Sequence, residues 1–504
     1  MAERPISVTE SRLAMPDVCV GSDATIRETV QLMDVNCLGV AFVTDGQRLV
    51  GVVSDGDFRR AMLRGLTDLD DPVVSIMNSE PATLPVGAGA EETFAALVSG
   101  LDEGKRVFPR VDSDGYIRDF SYREHWGLLP VAEPQLTGSE VAYVLQCLEQ
   151  NWISSTGPFV RQFEETFATF TGLQNPVAVS NGTVAIALAL QALGIEPGDE
   201  VIIPSSTFAA TANAVVAAGG VPVLADVNEI SWGLSAANVK PLITPRTRGI
   251  IAVHLYGSPC DVSGLKETAD DHELFLVEDC AEAIGTSLAG DHVGSMSDAA
   301  TFSFFGNKTL TTGEGGMVFF ADPEAESRAR VLRDHGMSVS RRYWHEVVGF
   351  NYRMTNVQAA IGVAQVERAT TLVSQKRLLG AKYEAGIDNI EHVTSMPTSP
   401  FGTTSYWLVP VLLDSALAGH RDMLMELMAA EGIQTRETFP SLHRMPAFSD
   451  FPSASEFPNA DMIAERGLCL PNTPRMTEES VEFILRVLEE NVKKISALVE
   501  RGSL

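Results

Sequence analysis

The chain has 504 residues, a length at which a single hydrophobic core usually gives way to two domains. Hydrophobic residues make up 45% of it and charged residues 20%, which is an ordinary globular composition. The formal net charge of −29 argues against nucleic acid as a partner, because an acidic protein repels the phosphate backbone.

The opening residues 1–10 are polar and lack the apolar core of a signal peptide, and no apolar run reaches the roughly 18 residues of a membrane span. The six cysteines are scattered without a C-x-x-C pair, which suits a reducing compartment better than a disulfide framework or a zinc site. We therefore expect a cytoplasmic protein with no membrane partner and no bound metal.

The first quarter of the chain contains a weak repeat with a period of about 65 residues. Each copy reads as a helix, a hairpin-like pair of strands and the start of a second helix. In the first copy these segments are 24–33, 39–44, 49–54 and a helix from Asp57 to about Arg64. In the second copy they are 91–99, 106–111, 116–122 and a helix start near Arg123.

This repeat resembles a tandem pair of CBS domains, which implies a regulatory α+β module over residues 1–128. In that family, a Ser or Thr followed three positions later by Asp binds the ribose of adenine nucleotides. Ser54 and Asp57 match this pair, whereas Ser121 in the second copy is followed by Glu124. The alternatives are an ordinary helix N-cap with a first-turn acid, and a module that serves only to build the oligomer.

Farther along, a short strand over 176–180 runs into Asn181, Gly182 and Thr183 and then into an apolar helix over 184–193. Small residues at a strand-to-helix turn let the backbone approach an anion, and the helix N-terminus offers its free N–H groups. The segment therefore predicts a phosphate cup without a Walker lysine.

Two further strands end in residues suited to an aromatic cofactor. The strand over 200–203 is followed by Phe208, whose ring could stack on a cofactor ring. The strand from Phe275 ends in Glu278 and Asp279. A carboxylate in that position suits the pyridine nitrogen of pyridoxal phosphate, because it keeps the ring protonated as an electron sink. A helix N-cap is the alternative explanation of Asp279.

Lys308 lies between the apolar run 301–305 and a glycine-rich turn over 313–316. Desolvation lowers the pKa of an ammonium and leaves a free amine, the nucleophile that forms Schiff bases with carbonyl compounds. A solvated loop charge is the alternative for a single lysine. The four segments together, in this order, indicate a pyridoxal phosphate site.

From about Leu129 to the C-terminus the chain resembles the DegT/DnrJ/EryC1/StrS family of sugar aminotransferases, which have the aspartate aminotransferase type I fold. The motifs that carry this resemblance are residues 134–140, 152–155, 180–183, 278–283, 301–308 and 349–356. The resemblance implies an α/β domain with a mostly parallel seven-stranded sheet, over about 129–375. Its strands are expected near Val177, Val201, Val223, Ile250, Leu276, Thr301 and Val318. A smaller α+β domain follows over about 376–504, with a helix over 357–373 leading into it.

The resemblance also assigns roles around the cofactor. Lys308 becomes the residue that forms the Schiff base with pyridoxal phosphate and then moves the proton, and Asp279 pairs with the pyridine nitrogen. Phe208 stacks on the ring, and Glu282 lies near it. Glu282 departs from the His or Gln of many relatives and marks the branch that makes GDP-perosamine.

The remaining cofactor contacts concern the phosphate. The resemblance gives Gly182, Thr183 and Ser303 to the phosphate of the same chain. Asn351 matches an asparagine that contributes to the cofactor phosphate of the neighbouring subunit, which implies a homodimer or a higher homo-oligomer.

The predicted reaction is transfer of the amino group of L-glutamate to C4 of a nucleotide-linked 4-keto-6-deoxyhexose, with GDP-4-keto-6-deoxymannose as the expected substrate and polysaccharide biosynthesis as the setting. Arg341, Arg342 and Arg353 are candidates to receive the anionic nucleotide-sugar. Lys308 argues against the dehydratase relatives, which have His at that position. The alternatives are C4 amination of a UDP-4-keto-6-deoxy-N-acetylhexosamine and a catalytically inactive protein that senses nucleotides.

Overall fold

The computed structural model describes residues 15–36, 38–65, 68–86, 107–122 and 129–501. The chain divides into two units, residues 1–128 and residues 129–504. Within the described ranges, every helix is too short or too polar to span a bilayer.

The N-terminal unit contains two small sheets with the same topology. Its elements are β1 (Cys19–Gly21), α1 (Ile26–Asn36), β2 (Val40–Asp45), β3 (Arg48–Ser54), α2 (Asp55–Leu63), β4 (Leu84–Pro85), β5 (Val107–Val111) and β6 (Ile117–Tyr122). In the order β1-β2-β3 the first pair is parallel and the second antiparallel, and β4-β5-β6 repeats this pattern. The strands of both predicted copies are therefore present, whereas the predicted helix over 91–99 and the helix start near Arg123 lie outside the described residues.

The two copies share a core. The rings of Phe42 on β2 and Phe120 on β6 meet edge to face, with centroids 5.6 Å apart. Next to them, the backbone N–H of Ile117 donates to the carbonyl of Gln47 at 3.0 Å. The repeat is thus one packed module with a common apolar centre.

The strands of the C-terminal unit form one large sheet and two small ones. They are β7 (Pro176–Val179), β8 (Glu200–Pro204), β9 (Val221–Ala225), β10 (Thr247–Val253), β11 (Phe275–Asp279), β12 (Ser287–Leu288), β13 (Asp291–His292), β14 (Ala299–Ser303), β15 (Gly316–Phe320), β16 (Val393–Ser395), β17 (Gly402–Thr403), β18 (Val409–Leu413), β19 (Arg436–Glu437) and β20 (Gly467–Leu470). The large sheet has the order β7-β15-β14-β11-β10-β8-β9, and only β15 runs antiparallel to its neighbours. The seven predicted strands are confirmed.

The helices of this unit cover the sheet. They are α3 (Glu140–Glu149), α4 (Pro158–Thr171), α5 (Gly182–Ala192), α6 (Ala210–Ala217), α7 (Ala236–Val239), α8 (Val262–Asp271), α9 (Pro323–Arg333), α10 (Asn356–Glu367), α11 (Ala369–Ile387), α12 (Arg421–Ala430), α13 (Pro458–Arg466) and α14 (Glu478–Glu500). Strands covered on both faces contain consecutive apolar residues, as in residues 201–204 of β8 and 275–277 of β11, and almost every side chain of these two strands is buried.

Aromatic packing fixes helix α4 against the sheet. Phe163 and Phe167, one helical turn apart, both meet the ring of Phe304, at 4.9 and 5.0 Å between centroids. Phe167 also lies edge-on to Phe302 at 5.1 Å. This cluster anchors the end of β14 from which the segment carrying Lys308 departs.

The predicted single helix over 357–373 is wrong, because the structure divides it at Arg368 into α10 and α11. Arg368 leaves helical geometry with φ −113° and ψ 4°. Its guanidinium donates to the side-chain oxygen of Gln135 at 3.0 Å and lies 3.9 Å from Glu140. The apolar periodicity continues across the break, so the sequence pattern alone does not reveal it.

Helix α11 leads into the smaller α+β domain, where the antiparallel sheet β16-β18-β20-β19 packs against α11, α12 and α14. Lys376 of α11 is buried here, and its Nζ donates to the backbone carbonyls of Trp407 at 3.1 Å and Asn472 at 2.5 Å. Burial lowers the pKa of Lys376 to about 7. The side chain joins α11 to the segments before β18 and after β20.

The Lys376→Met variant should reduce the pH dependence of stability. The pKa of a lysine in the unfolded chain is about 10.4. Between about pH 7 and 10 the unfolded chain therefore binds a proton that the folded protein lacks. The free energy of unfolding therefore rises with pH across this window, by up to about 1.4 kcal/mol per pH unit from this group. Urea unfolding midpoints measured across the window should rise less steeply in the variant.

Lys382→Met is the matched control, because Lys382 lies on the same helix but is paired at the surface with Glu478 and Glu482, both at 2.8 Å. Its slope should equal that of the wild type. Parallel profiles for wild type and Lys376→Met would show that the buried amine does not titrate in this window.

Candidate active site

The predicted cofactor residues lie at one edge of the large sheet. Asp279 and Ser303 end the neighbouring strands β11 and β14, and Gly182 and Phe208 follow β7 and β8. These strands are all parallel, so their carboxyl ends meet at the same edge, where α/β proteins bind their ligands. Lys308 follows Ser303 in the turn that leads away from β14.

Lys308 is held between a carboxylate and an aromatic face. Its Nζ lies 3.5 Å from Oε1 of Glu282 and 3.9 Å from the ring centroid of Trp407. Burial lowers the pKa of Lys308, and the negative charges of Glu282 and Asp279 only partly oppose this effect. The site therefore favours the free amine that a Schiff base requires.

Asp279 is a buried carboxylate that accepts two hydrogen bonds. Its Oδ2 accepts from the hydroxyl of Thr211 at 3.1 Å, and its Oδ1 accepts from the N–H of Ala281 at 3.1 Å. Burial raises the pKa of Asp279 despite these bonds and the nearby charge of Lys308. A cationic partner such as a protonated pyridine nitrogen would compensate the buried charge.

Glu282 shares the environment of Lys308. Its Oε2 accepts from the N–H of Tyr256 at 2.9 Å, and burial raises its pKa as it does that of Asp279. Two carboxylates that resist ionisation thus face one amine that resists protonation.

A second buried ion pair supports the end of β11. Nε2 of His254 lies 2.9 Å from Oε2 of Glu278, which also accepts from the N–H of Gly294 at 2.7 Å. Burial alone would raise the pKa of Glu278, but the bond and charge of His254 bring it below its usual range. With Cys280 these two side chains form the one described group whose ligand atoms, within 4.8 Å of one another, could converge on a metal.

The turn after β7 has the geometry of an anion cup. Asn181 caps helix α5 by accepting from the N–H of Val184 at 3.0 Å. The N–H groups of Gly182 and Thr183, in the first turn, have no intrahelical acceptor. A Cβ on Gly182 would lie only 2.8 Å from the Cβ of Ser303, so the absence of a side chain lets the two segments meet.

Phe208 lies at the rim of the site with 60% of its surface exposed. Its ring is 5.8 Å from that of Phe439, which stacks on Tyr256 at 5.5 Å, and Tyr256 in turn stacks on Trp407 at 6.2 Å. An aromatic row thus runs from the exposed ring of Phe208 to the ring beside Lys308.

Asn351 and the candidate cations lie on the segment between α9 and α10. Oδ1 of Asn351 accepts from Nε of Arg353 at 3.2 Å, and Arg353 pairs with Asp334 at 2.8 Å. Arg341 and Arg342 instead stack on the exposed rings of the neighbouring residues Trp344 and Tyr343, at 4.4 and 4.9 Å from their centroids. The role of Asn351 in a neighbouring subunit stays a prediction.

Sequence reasoning missed three residues of the site. Thr211 follows Phe208 by less than one helical turn, so its place beside Asp279 could have been suspected from the spacing of the PSSTFAAT segment. Tyr256 follows β10, which neighbours β11, and this too was a detectable signal. Trp407 belongs to a distant segment, and only the tertiary structure brings its ring to Lys308.

Pyridoxal phosphate fits these side chains. The same edge of the sheet carries the buried amine of Lys308 and the buried carboxyl group of Asp279, which suits the ring nitrogen. It also carries the glycine cup at the N-terminus of α5 and the exposed ring of Phe208. The arrangement and the fold define an aminotransferase of the aspartate aminotransferase type I fold.

The model of the DegT/DnrJ/EryC1/StrS aminotransferase family matches residues 134–489, and that of the CBS domain matches residues 11–64. The chain belongs to this aminotransferase family and is a pyridoxal phosphate-dependent nucleotide-sugar aminotransferase with an N-terminal CBS domain.

Its similarity to individual proteins covers 72–75% of the chain. GDP-perosamine synthase of Escherichia coli O157:H7 is 42% identical and that of Caulobacter vibrioides 43% identical, each over 72% of this chain and 98% of the relative. A crystal structure of DesI in the presence of its TDP-sugar product superposes with a TM-score of 0.69, at 31% identity, over 75% of this chain and 96% of that one.

Gly182→Ala should weaken cofactor binding without unfolding the protein. Alanine suits a helix better than glycine, so the damage would come only from the methyl group against Ser303. Overpacking costs about 1–3 kcal/mol, which corresponds to a loss of affinity of roughly 5- to 150-fold. Titration of the cofactor-free protein with pyridoxal phosphate, followed by absorbance, measures it.

Gly306→Ala provides the same chemical change without the clash, because its Cβ would meet nothing closer than the carbonyl of Gly313 at 3.9 Å. This variant should bind the cofactor with nearly normal affinity. Equal affinities for wild type and Gly182→Ala would place the phosphate elsewhere.

Proposed function

We propose that the enzyme transfers the amino group of L-glutamate to C4 of GDP-4-keto-6-deoxymannose and so produces GDP-perosamine. The observation that supports this substrate is the similarity to GDP-perosamine synthases of two bacteria over 98% of their length. Glu282, whose Oε1 lies 3.5 Å from Nζ of Lys308, matches the glutamate that the family resemblance associates with this branch.

Pyridoxal phosphate, when bound, supplies the electron sink that lets a proton leave a carbon attached to nitrogen. In this proposal Lys308 Nζ is the base that takes the proton from the α-carbon of the amino donor and returns a proton to C4 of the sugar. Asp279 keeps the pyridine nitrogen protonated. Burial of both side chains strengthens their electrostatic effect, because little water remains to screen it.

The other predicted contacts concern orientation. The N–H groups of Gly182 and Thr183 and the hydroxyl of Ser303 hold the phosphate, and Phe208 covers the ring. Asn351 reaches the phosphate of a neighbouring subunit in a homodimer. Arg341, Arg342 and Arg353 offer positive charge to the nucleotide diphosphate in a chain whose net charge is −29.

The test is an amination assay of the purified full-length enzyme with L-glutamate and either GDP-4-keto-6-deoxymannose or a UDP-4-keto-6-deoxy-N-acetylhexosamine. We expect the GDP-sugar to have the higher kcat/KM, and the product to carry nitrogen at C4. Lys308→Ala should abolish turnover with either substrate, because the nucleophile and the base are lost together. A preference for the UDP-sugar would replace the proposed substrate, and an active Lys308→Ala variant would overturn the catalytic assignment.

For the N-terminal unit we propose that a purine nucleotide binds at Ser54 and Asp57 and regulates the enzyme. Ser54 caps helix α2, and its hydroxyl donates to Oδ2 of Asp57 at 2.6 Å, while Arg60 pairs with Oδ1 of Asp57 at 2.6 Å. The two residues also form a capping box, which is the alternative interpretation of their spacing. In it the N–H of Asp57 donates to Oγ of Ser54 at 3.3 Å, and the N–H of Ser54 donates to Oδ2 of Asp57 at 2.9 Å. The capping geometry leaves 18% of the side chain of Asp57 exposed, within reach of a ribose.

Asp57→Ala should remove the response to nucleotide. We expect an adenine or guanine nucleotide to raise the melting temperature of the full-length protein, because a ligand that binds only the folded state stabilises it by mass action. The shift should disappear in Asp57→Ala and persist in Asp55→Ala, which removes the neighbouring acid of the same helical turn. Unchanged melting curves across a panel of nucleotides would favour a module that only builds the oligomer.

A further inference from the structure

Trp407 is a buried tryptophan that makes two contacts with the segment that carries Lys308. Its indole Nε1–H donates to the carbonyl of Asn307, directly before Lys308, at 2.8 Å. The face of the same indole lies 3.9 Å from Lys308 Nζ. Only 2% of Trp407 is exposed, so neither contact is shared with bulk water.

The backbone of Trp407 is fixed on both sides. Its N–H donates to the carbonyl of Tyr256 at 3.1 Å, and its carbonyl accepts from the buried Nζ of Lys376 at 3.1 Å. The approach of this segment requires a glycine at 257, where a Cβ would lie 3.1 Å from the N–H nitrogen of Trp407. The place of Trp407 is therefore set by contacts of its backbone within this chain.

Holding the ring in this position strains the backbone. Tyr256 and Tyr406 have φ values of 55° and 53°, in the left-handed region that bulky residues rarely adopt. Such strain persists only where the surroundings enforce it, and it concentrates at functional sites. Here both strained residues belong to the two segments that position Trp407.

Several charged groups around Lys308 affect its protonation, and the indole ring of Trp407 adds to their effect. Glu282 at 3.5 Å and Asp279 favour the protonated amine, whereas the charge of Arg436 on β19 opposes it. An indole face attracts a cation through its quadrupole, and more strongly when both are desolvated. The ring and the carboxylate of Glu282 thus both stabilise the ammonium against the cost of burial.

We propose that Trp407 is a positioning residue for Lys308, holding the amine against Glu282 with its ring face and fixing the preceding peptide with its indole N–H. This inference rests on the proposed role of Lys308. It gives a function to the aromatic row and to the strained turn at Tyr256. A leucine in place of Trp407 would remove both contacts, whereas phenylalanine would keep a ring and lose only the N–H.

The experiment measures the pKa of Lys308 in the full-length protein freed of cofactor, by competitive labelling with acetic anhydride and mass spectrometry across a pH series. In Trp407→Leu the pKa of Lys308 should fall by about one unit, since the ring no longer stabilises the ammonium. Trp407→Phe should give a smaller fall. The acid limb of the kcat–pH profile of the cofactor-loaded enzyme should move in the same direction, to lower pH.

Trp232→Phe is the matched control, because Trp232 is also buried and lies edge-on to Tyr256 at 6.5 Å. It should leave the pKa of Lys308 unchanged. An unchanged or higher pKa in Trp407→Leu, or an equal fall in Trp232→Phe, would overturn the inference. Labelling of Lys308 does not depend on turnover, so the two proposals can fail separately. An active Lys308→Ala enzyme would refute the catalytic role of Lys308 but not the contact between Trp407 and the amine. If Trp407→Leu does not fold, Trp407→Phe decides the question alone.

Discussion

The site depends on burying one amine beside two carboxylates. Desolvation favours the neutral form of all three groups, so Lys308 loses its proton more easily, while Asp279 and Glu282 lose theirs less easily. The attraction between the ammonium and the two carboxylates opposes this trend in part, because it favours the charged forms. The balance suits a residue that must act as a nucleophile and as a carrier of protons at neutral pH. The balance depends on burial, since water would screen the charges.

The architecture maintains this balance with a few close contacts. The ion pair of His254 and Glu278 is fully buried and fixes the end of the strand that carries Asp279. Gly182 allows the first turn of α5 to reach Ser303, and the aromatic cluster around Phe304 anchors the chain between Ser303 and Lys308. Each contact acts on a strand end, because that is where parallel strands deliver their side chains to a common edge.

The N-terminal unit lies outside the aminotransferase family match, which covers residues 134–489. The GDP-perosamine synthases that match this chain are covered over 98% of their length by only 72% of it. The unit has its own core, formed where Phe42 and Phe120 meet, and its two sheets repeat one topology. The family model supports the first copy of the repeat over residues 11–64, and the repeated strand pattern supports the second.

The sequence by itself determined the fold class, the seven strands and the identity of the cofactor. The fold class and the seven strands follow from the family resemblance that the motifs carry. The cofactor also follows from local features, since Gly182, Asp279 and Lys308 stand at or shortly after the ends of apolar runs that predict buried strands. The sequence also marked Ser54 and Asp57, although local spacing does not distinguish a capping box from a nucleotide site. Only the tertiary structure decided where α10 ends, because the interaction of Arg368 with Gln135 joins segments far apart in the chain. It also decided the neighbours of Lys308. Backbone contacts with Tyr256 and Lys376 place Trp407 beside the amine of Lys308. The residue pattern of its own segment does not indicate where its ring lies.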